Sequence, residues 1–239
     1  MLLQDDTLPC FTADAVLLTH FLRLGKKDRV LDAGCGTGLI SVLGEGYTGA
    51  SFTGVDICPE LVALAGRSAE RNGQDIRFET LDILEVPARF GEGAFTAAVW
   101  NPPYFAPAAS GEPRAESASR AEEDGDGAAV LPHSSTSEGE PERASGYRAR
   151  ALARHADDEA LRAMARALFR GVKNGGRLFV CFPCGSLARI FRVLSDCRWE
   201  PKRLRLVAHT PADSPYLALI EAKKDGAAGL VIEPLAFDK

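Results

Sequence analysis

Long apolar runs are missing from this 239-residue chain. None approaches the roughly 18 residues that a membrane-spanning helix needs. The opening Met1-Leu-Leu-Gln-Asp-Asp has neither the charged start nor the apolar core of a secretion signal, so a cytoplasmic location without membrane attachment is expected. The six cysteines, at positions 10, 35, 58, 181, 184 and 197, form no even framework. A chain of this length does not need disulfides to be stable, and reduced thiols are expected. Cys181-Phe-Pro-Cys184 has no second C-x-x-C and no paired histidines beside it. Two packed thiols are a simpler account of it than a zinc or redox site, so no metal is expected. The formal net charge of −5 lacks the basic excess typical of nucleic-acid binding proteins.

The charge is unevenly spread along the chain. Residues 1–105 hold 8 basic and 14 acidic residues (−6), and 106–147 hold 3 and 9 (−6). Residues 148–210 hold 14 and 5 (+9), and 211–239 hold 3 and 5 (−2). The basic segment includes Arg162, Arg166 and Arg170, spaced as one stripe on a helix. That stripe is either a phosphate-contacting face or a solvated one.

With 46% hydrophobic residues, 239 residues suffice for one substantial core, and a single domain over 1–239 is expected. The pattern predicts a helix over 12–24 and a buried strand Arg29–Ala33, followed by a glycine-rich loop and a helix from Leu39. A strand Ser51–Asp56 and a helix Pro59–Asn72 come next, then strands Ile76–Asp82 and Phe95–Trp100. Residues 106–147 are rich in Ala, Ser, Gly, Glu and Pro and have almost no large apolar residue, which reads as a disordered acidic insertion. Beyond it the pattern predicts a helix over 149–173, a strand Arg177–Phe182 and a helix Ser186–Cys197. Strands Lys202–His209 and Tyr216–Lys223 close the chain as an antiparallel hairpin. The alternation implies an α/β fold with a seven-stranded, mostly parallel sheet and helices on both faces.

Four short stretches carry chemistry. Asp32-Ala-Gly34-Cys35-Gly36-Thr37-Gly38 joins the first strand to the next helix, and its glycines let a ligand approach the backbone. It is G-x-G-x-G and not the G-x-G-x-x-G of a dinucleotide site. Asp32 at the strand end would repel a pyrophosphate but suits a cationic amino-acid moiety. Asp56 ends the second strand, placed to accept ribose hydroxyls. Asp82 ends the third, placed to meet an adenine amino group with Ile57 and Ile83 against the ring. Each acid alone is also compatible with an ordinary turn residue. Asn101-Pro102-Pro103-Tyr104 follows the fourth strand. It is either a proline-rich turn or a grip in which the Asn101 oxygen and the Pro102 carbonyl hold an amino nitrogen, with Tyr104 stacking on its ring.

Together these motifs resemble those of the class I S-adenosylmethionine methyltransferases that modify amino nitrogens. Phe11-Thr-Ala-Asp14-Ala-Val-Leu-Leu, Ala153-Arg154-His155, Leu219-Ile-Glu-Ala-Lys-Lys and Gly229-Leu-Val-Ile-Glu-Pro-Leu are similar to segments of the bacterial tRNA(Val) (adenine-N6) methyltransferases. The resemblance implies a Rossmann-like fold, S-adenosyl-L-methionine as cofactor, RNA, specifically tRNA, as partner, and an adenine amino group as methyl acceptor. It makes Asp32, Gly34, Gly36 and Gly38 contacts to the methionine moiety. Asp56 becomes the ribose ligand and Asp82 the adenine ligand, beside the ring faces that Ile57 and Ile83 pack. Asn101, Pro102 and Tyr104 become the catalytic group, and Phe105, Arg154 and His155 substrate contacts. The same tetrapeptide serves protein glutamine methyltransferases, and a non-catalytic RNA-binding or assembly factor on this fold is a third reading.

Overall fold

The computed structural model describes residues 13–102 and 157–238. Its helices and strands, in chain order, are α1 (Ala13–Phe21), β1 (Arg29–Ala33), α2 (Leu39–Thr48), β2 (Ser51–Asp56), α3 (Pro59–Arg71), β3 (Arg77–Thr80), α4 (Val86–Phe90) and β4 (Phe95–Trp100). There follow α5 (Asp158–Gly171), β5 (Val172–Pro183), α6 (Leu187–Asp196), β6 (Trp199–Ala208), β7 (Leu217–Lys224), β8 (Val231–Ile232) and β9 (Ala236–Phe237). One sheet runs in the order β3-β2-β1-β4-β5-β7-β6-β8, with β9 also on β6. Strands β1 to β5 pair in parallel, and β7 lies antiparallel between β5 and β6.

The seven-strand expectation is corrected: among the described residues the sheet has nine strands. The two extra strands are two residues each, too short to show a period-two pattern, and add to β6 in parallel. Two other boundaries moved because breaker residues sit inside strands. Pro201 is accommodated in β6 by a register shift before Arg203. β5 begins at Val172, opposite Phe95, and bulges before Ala97 pairs with Arg177. Gly176 lies inside that irregularity: a Cβ there would stand 2.7 Å from the Thr96 carbonyl oxygen. The helix expected from Ala149 starts at Asp158, where the Asp157 carboxylate accepts the Ala160 N–H at 2.7 Å. The expected insertion at 106–147 lies outside the described residues.

Strand alternation sorts the core into two layers. Ala98, Trp100, Leu178, Val180 and Phe182 face one way, against Leu161, Ala165 and Leu168 of α5 and Ile190, Val193 and Leu194 of α6. Ala97, Val99, Phe179 and Cys181 face the other, against Leu18 and Phe21 of α1 and Leu39, Ile40 and Val42 of α2. Trp100 is thereby buried on the side opposite to its neighbour Asn101. Arg203, itself buried, ties the ends of the described chain together. It pairs with Glu221 at 2.7 Å and Glu233 at 3.2 Å and donates to the Phe21 carbonyl at 2.8 Å. Segments distant in sequence, α1, β6, β7 and the residues around Glu233, therefore meet at one cation.

Candidate active site

The strand order reverses between β1 and β4, which opens a crevice beyond the carboxyl ends of those strands. The loop after β1 enters this crevice and is held to β2. The Gly34 and Cys35 amides both donate to the Val55 carbonyl at 2.9 Å, and the Gly36 amide donates to Asp56 Oδ2 at 2.9 Å. Gly36 sits at φ 54°, and a Cβ there would meet nothing within 4 Å, which leaves the loop surface open to a ligand. Gly38, at φ 80°, answers a packing demand instead. A Cβ there would lie 2.8 Å from that of Ala65, so glycine lets α2 and α3 approach.

Asp32 is almost wholly buried in β1. One carboxylate oxygen accepts the Ser41 hydroxyl at 2.7 Å, whereas the other has no hydrogen-bond partner. Burial pushes its pKa from 3.8 to about 7, against the Ser41 hydroxyl and amide, and the Asp56 charge adds to the rise. A buried acceptor without a partner is costly, and a cationic ammonium group beside it would remove that cost. Asp56 is half-buried, and its two oxygens are held by the Gly36 amide and, at 3.0 Å, the Cys58 amide. Burial raises its pKa and the backbone N–H groups of Cys58, Gly36 and Ile57 oppose the rise. The carboxylate is thus fixed in orientation with lone pairs to spare for hydroxyl donors.

Ile57 is 55% exposed directly after β2, an apolar surface of the kind a purine ring covers. Ile83 is partly buried against the core. Asp82 is corrected in place: β3 ends at Thr80, and Asp82 caps a single 3₁₀ turn over Ile83–Glu85, accepting the Leu84 N–H at 2.9 Å. The strand stops early because the chain turns into this helical connection, which runs on into α4. Leu84, 50% exposed on that turn, is a second apolar surface that the sequence pattern did not single out. Ser41 was also missed, because a serine in an apolar helix carries no signal of its partner nine residues upstream.

Asn101 follows β4, and its side-chain oxygen accepts the Cys181 thiol at 3.1 Å. Pro102 is buried behind it. Tyr104, Phe105, Arg154 and His155 lie outside the described residues. Among the described residues, Cys35, Cys58, Cys181, Cys184 and Cys197 are joined in no disulfide. Among the described residues no cluster of His, Cys, Asp or Glu is arranged to hold a metal ion, and no helix is long and apolar enough to cross a membrane.

The basic segment looks different in three dimensions. Arg162 pairs with Asp196, Arg166 with Glu159 and Arg170 with Glu92. Arg177 pairs with Asp28, Arg189 with Asp158, Arg198 with Asp225 and Arg205 with Glu233. Four of these seven acids, Glu92, Asp28, Asp225 and Glu233, come from outside the segment, so part of the +9 counted along the chain is offset in space among the described residues.

Residues 30–110 match the methyltransferase domain family. The chain is 34% identical over 67 residues to the ribosomal protein L11 methyltransferase of Geobacter sulfurreducens, covering 28% of this chain and 22% of that protein. It is 36% identical over 85 residues to the release factor glutamine methyltransferase of Deinococcus radiodurans, covering 35% and 29%. The matching stretch thus spans less than a third of either relative. Among solved structures, a predicted O-methyltransferase from Agrobacterium tumefaciens superposes with a TM-score of 0.63 at 17% identity, over 94% of this chain and 86% of that one. The geranyl diphosphate C-methyltransferase of Streptomyces coelicolor, solved with S-adenosyl-L-homocysteine, does so with a TM-score of 0.56 at 17% identity, over 89% and 77%. At such identities the likeness is one of fold.

The strand order is that of the methyltransferase fold, and the residues matched to the methyltransferase domain family, 30–110, contain the glycine loop, Asp56 and Asn101. The chain's cofactor is S-adenosyl-L-methionine, and the partnerless oxygen of Asp32 and the open loop at Gly36 fit that molecule.

Proposed function

We propose that the chain methylates a planar, conjugated amino nitrogen, and that this nitrogen is the exocyclic amino group of an adenine in RNA, tRNA in particular. One observation carries the amino-nitrogen part. The Asn101 side-chain oxygen stands at the carboxyl end of β4, next to the strand that presents Asp32 and the glycine loop. An acceptor there faces the cofactor across the switch point. The RNA part rests on the resemblance of the flanking segments. Two of these, around Glu221 and around Glu233, meet at Arg203.

S-adenosyl-L-methionine supplies an electrophilic methyl group on a sulfonium. Asp32 would hold the positive amino-acid end of the donor and Asp56 its ribose hydroxyls, and Ile57 and Ile83 would pack against its ring. The Asn101 oxygen and the Pro102 carbonyl accept the two N–H bonds of the target amine and aim its lone pair. A target nitrogen that accepted this methyl group would gain positive charge, and its N–H bonds would become more acidic. The two acceptors therefore bind more strongly at the transition state than in the ground state. Alignment does the rest, and the proton leaves to solvent afterwards, so no strong base is needed. A stacked adenine has to be turned out first, and stacking on Tyr104 would offset about 1–3 kcal/mol of that cost.

A second acceptor, the side-chain amide of a protein glutamine, is favoured by the matching stretch of the release factor glutamine methyltransferase. Its nitrogen is equally planar and needs the same two acceptors. Labelled S-adenosylmethionine offered together with total tRNA, ribosomal RNA and protein extract separates the two. The expected product after digestion is N6-methyladenine from tRNA. Label recovered as N5-methylglutamine would replace this reading with the second one.

A further inference from the structure

The ends of β6 and β7 carry two aromatic rings that the methyl-transfer reading leaves unused. His209 follows β6 and Tyr216 precedes β7, and their rings stack with centroids 4.4 Å apart and planes 12° from parallel. A single carboxylate, Asp238, holds both. His209 Nδ1 lies 3.0 and 2.9 Å from its two oxygens, and the Tyr216 hydroxyl donates to Oδ2 at 2.8 Å. The Tyr216 hydroxyl, and after it the imidazole, keeps the Asp238 pKa below the usual carboxylate value, so the ionised group only accepts and Nδ1 carries the hydrogen. Tyr216 covers one face of the imidazole, yet the side chain is 65% exposed, which leaves the other face to solvent.

The sheet register fixes where this ring stands. Trp100 is level with Val180, Ile220 and Leu204 on the neighbouring strands, and β6 runs in the same direction as β4. His209 therefore lies at the same edge of the sheet as Asn101, three strands over and four residues further along. At strand and residue spacings of about 4.8 and 3.3 Å, the two residues are roughly 20 Å apart.

We propose that the outer face of His209 is a stacking platform for a nucleobase of the RNA other than the target adenine, with Tyr216 and Asp238 as its backing. This rests on the RNA reading of the site. A base stacks on an aromatic face without needing charge, and a ring that is already held loses little freedom when it is covered. Neighbouring charges choose a base over a phosphate, since Asp238 and, in the adjoining turn, Asp213 are both acidic. The separation of roughly 20 Å puts the platform beyond an adenine held at Asn101 but within reach of the strand that carries it.

The test separates the ring from its bond to the chain end. Asparagine keeps an N–H close to the place of Nδ1 and removes the ring, whereas phenylalanine keeps the ring and removes the donor. His209→Asn is expected to raise the Kd for total tRNA about 5- to 20-fold, as loss of one stacked base does, with the Kd for S-adenosylmethionine unchanged. His209→Phe is expected to stay within about twofold of the unsubstituted protein. Equal tRNA affinity in His209→Asn would overturn the proposal. So would equal losses in both variants that follow their melting midpoints, because the ring would then serve only to fasten the end of the chain. If the unsubstituted protein binds no tRNA and places label in glutamine, the RNA reading fails and the platform falls with it. Label in tRNA together with an unaffected asparagine variant removes the platform alone.

Discussion

The loops after β1 and β2 and the surface of α5 through β7 treat charge in opposite ways. In the first region, Asp32 and Asp56 lie close together without a cation among their hydrogen-bond or ion-pair partners. They are held by backbone amides and one serine hydroxyl, and both have raised pKa values. In the second, nearly every arginine has found a carboxylate, mostly at the surface. Burying two like charges without compensation works against folding and suits a site that a cationic ligand completes. Pairing exposed opposite charges contributes little to stability and leaves no strong field for a partner. Unmet demand for charge therefore marks a binding site better than a high count of charged residues does.

The comparison can be pressed hardest at its boundary, where Asn101 sits between the two regions. Asn101→Ala should reduce turnover by roughly 100- to 1,000-fold, as loss of an oriented polar group at a transition state does, while leaving cofactor affinity near its original value. Steady-state kinetics paired with calorimetry would show it, and unchanged turnover would remove Asn101 from the mechanism.

A smaller effect is expected from pH at Asp32. Its pKa in the folded protein, about 7, stands above the usual 3.8, so between roughly pH 4 and 7 the unfolded chain has released a proton that the folded chain retains. This group's contribution to the stability of the free protein therefore declines as pH rises through that window and levels off above 7. A bound ammonium favours the ionised carboxylate, so cofactor affinity should rise with pH, by up to about tenfold per unit below 7, and then flatten. Calorimetric titrations from pH 5.5 to 8.5 measure this, and the slope should vanish in Asp32→Asn.

The smallest change is expected at the arginine stripe. Because Arg166 and Arg170 already face Glu159 and Glu92, replacing both by alanine should alter the salt dependence of tRNA binding by less than one phosphate contact. A slope reduced by about two would make this helix face part of the RNA site after all.

Much of the first region was legible because its information is local. Glycine spacing, an acid at a strand end and a proline at the start of α3 all act within a few residues, and strands β1, β2 and β4 follow from short apolar runs with the expected limits. The less legible parts depend on contacts across the sheet. Asp82 was placed on a strand because Ile76–Asp82 alternates, yet the chain turns into a 3₁₀ segment after Thr80. Ser41 and Leu84 carry no signal in the sequence because each acquires its place at the site from contacts that the fold supplies.

The sequence alone determined the α/β architecture, the glycine loop with its two acids and the position of the Asn-Pro-Pro-Tyr motif, since periodicity and turn chemistry operate over a handful of bonds. Only the tertiary structure decided that Asp32 has an oxygen without a partner, that the Cys181 thiol meets the Asn101 oxygen, and that arginines of the basic segment pair with acids from within it and from elsewhere in the chain. Burial and ion pairing depend on distance in space, and residues such as Arg203, Phe21 and Glu233 become neighbours only after the sheet has formed.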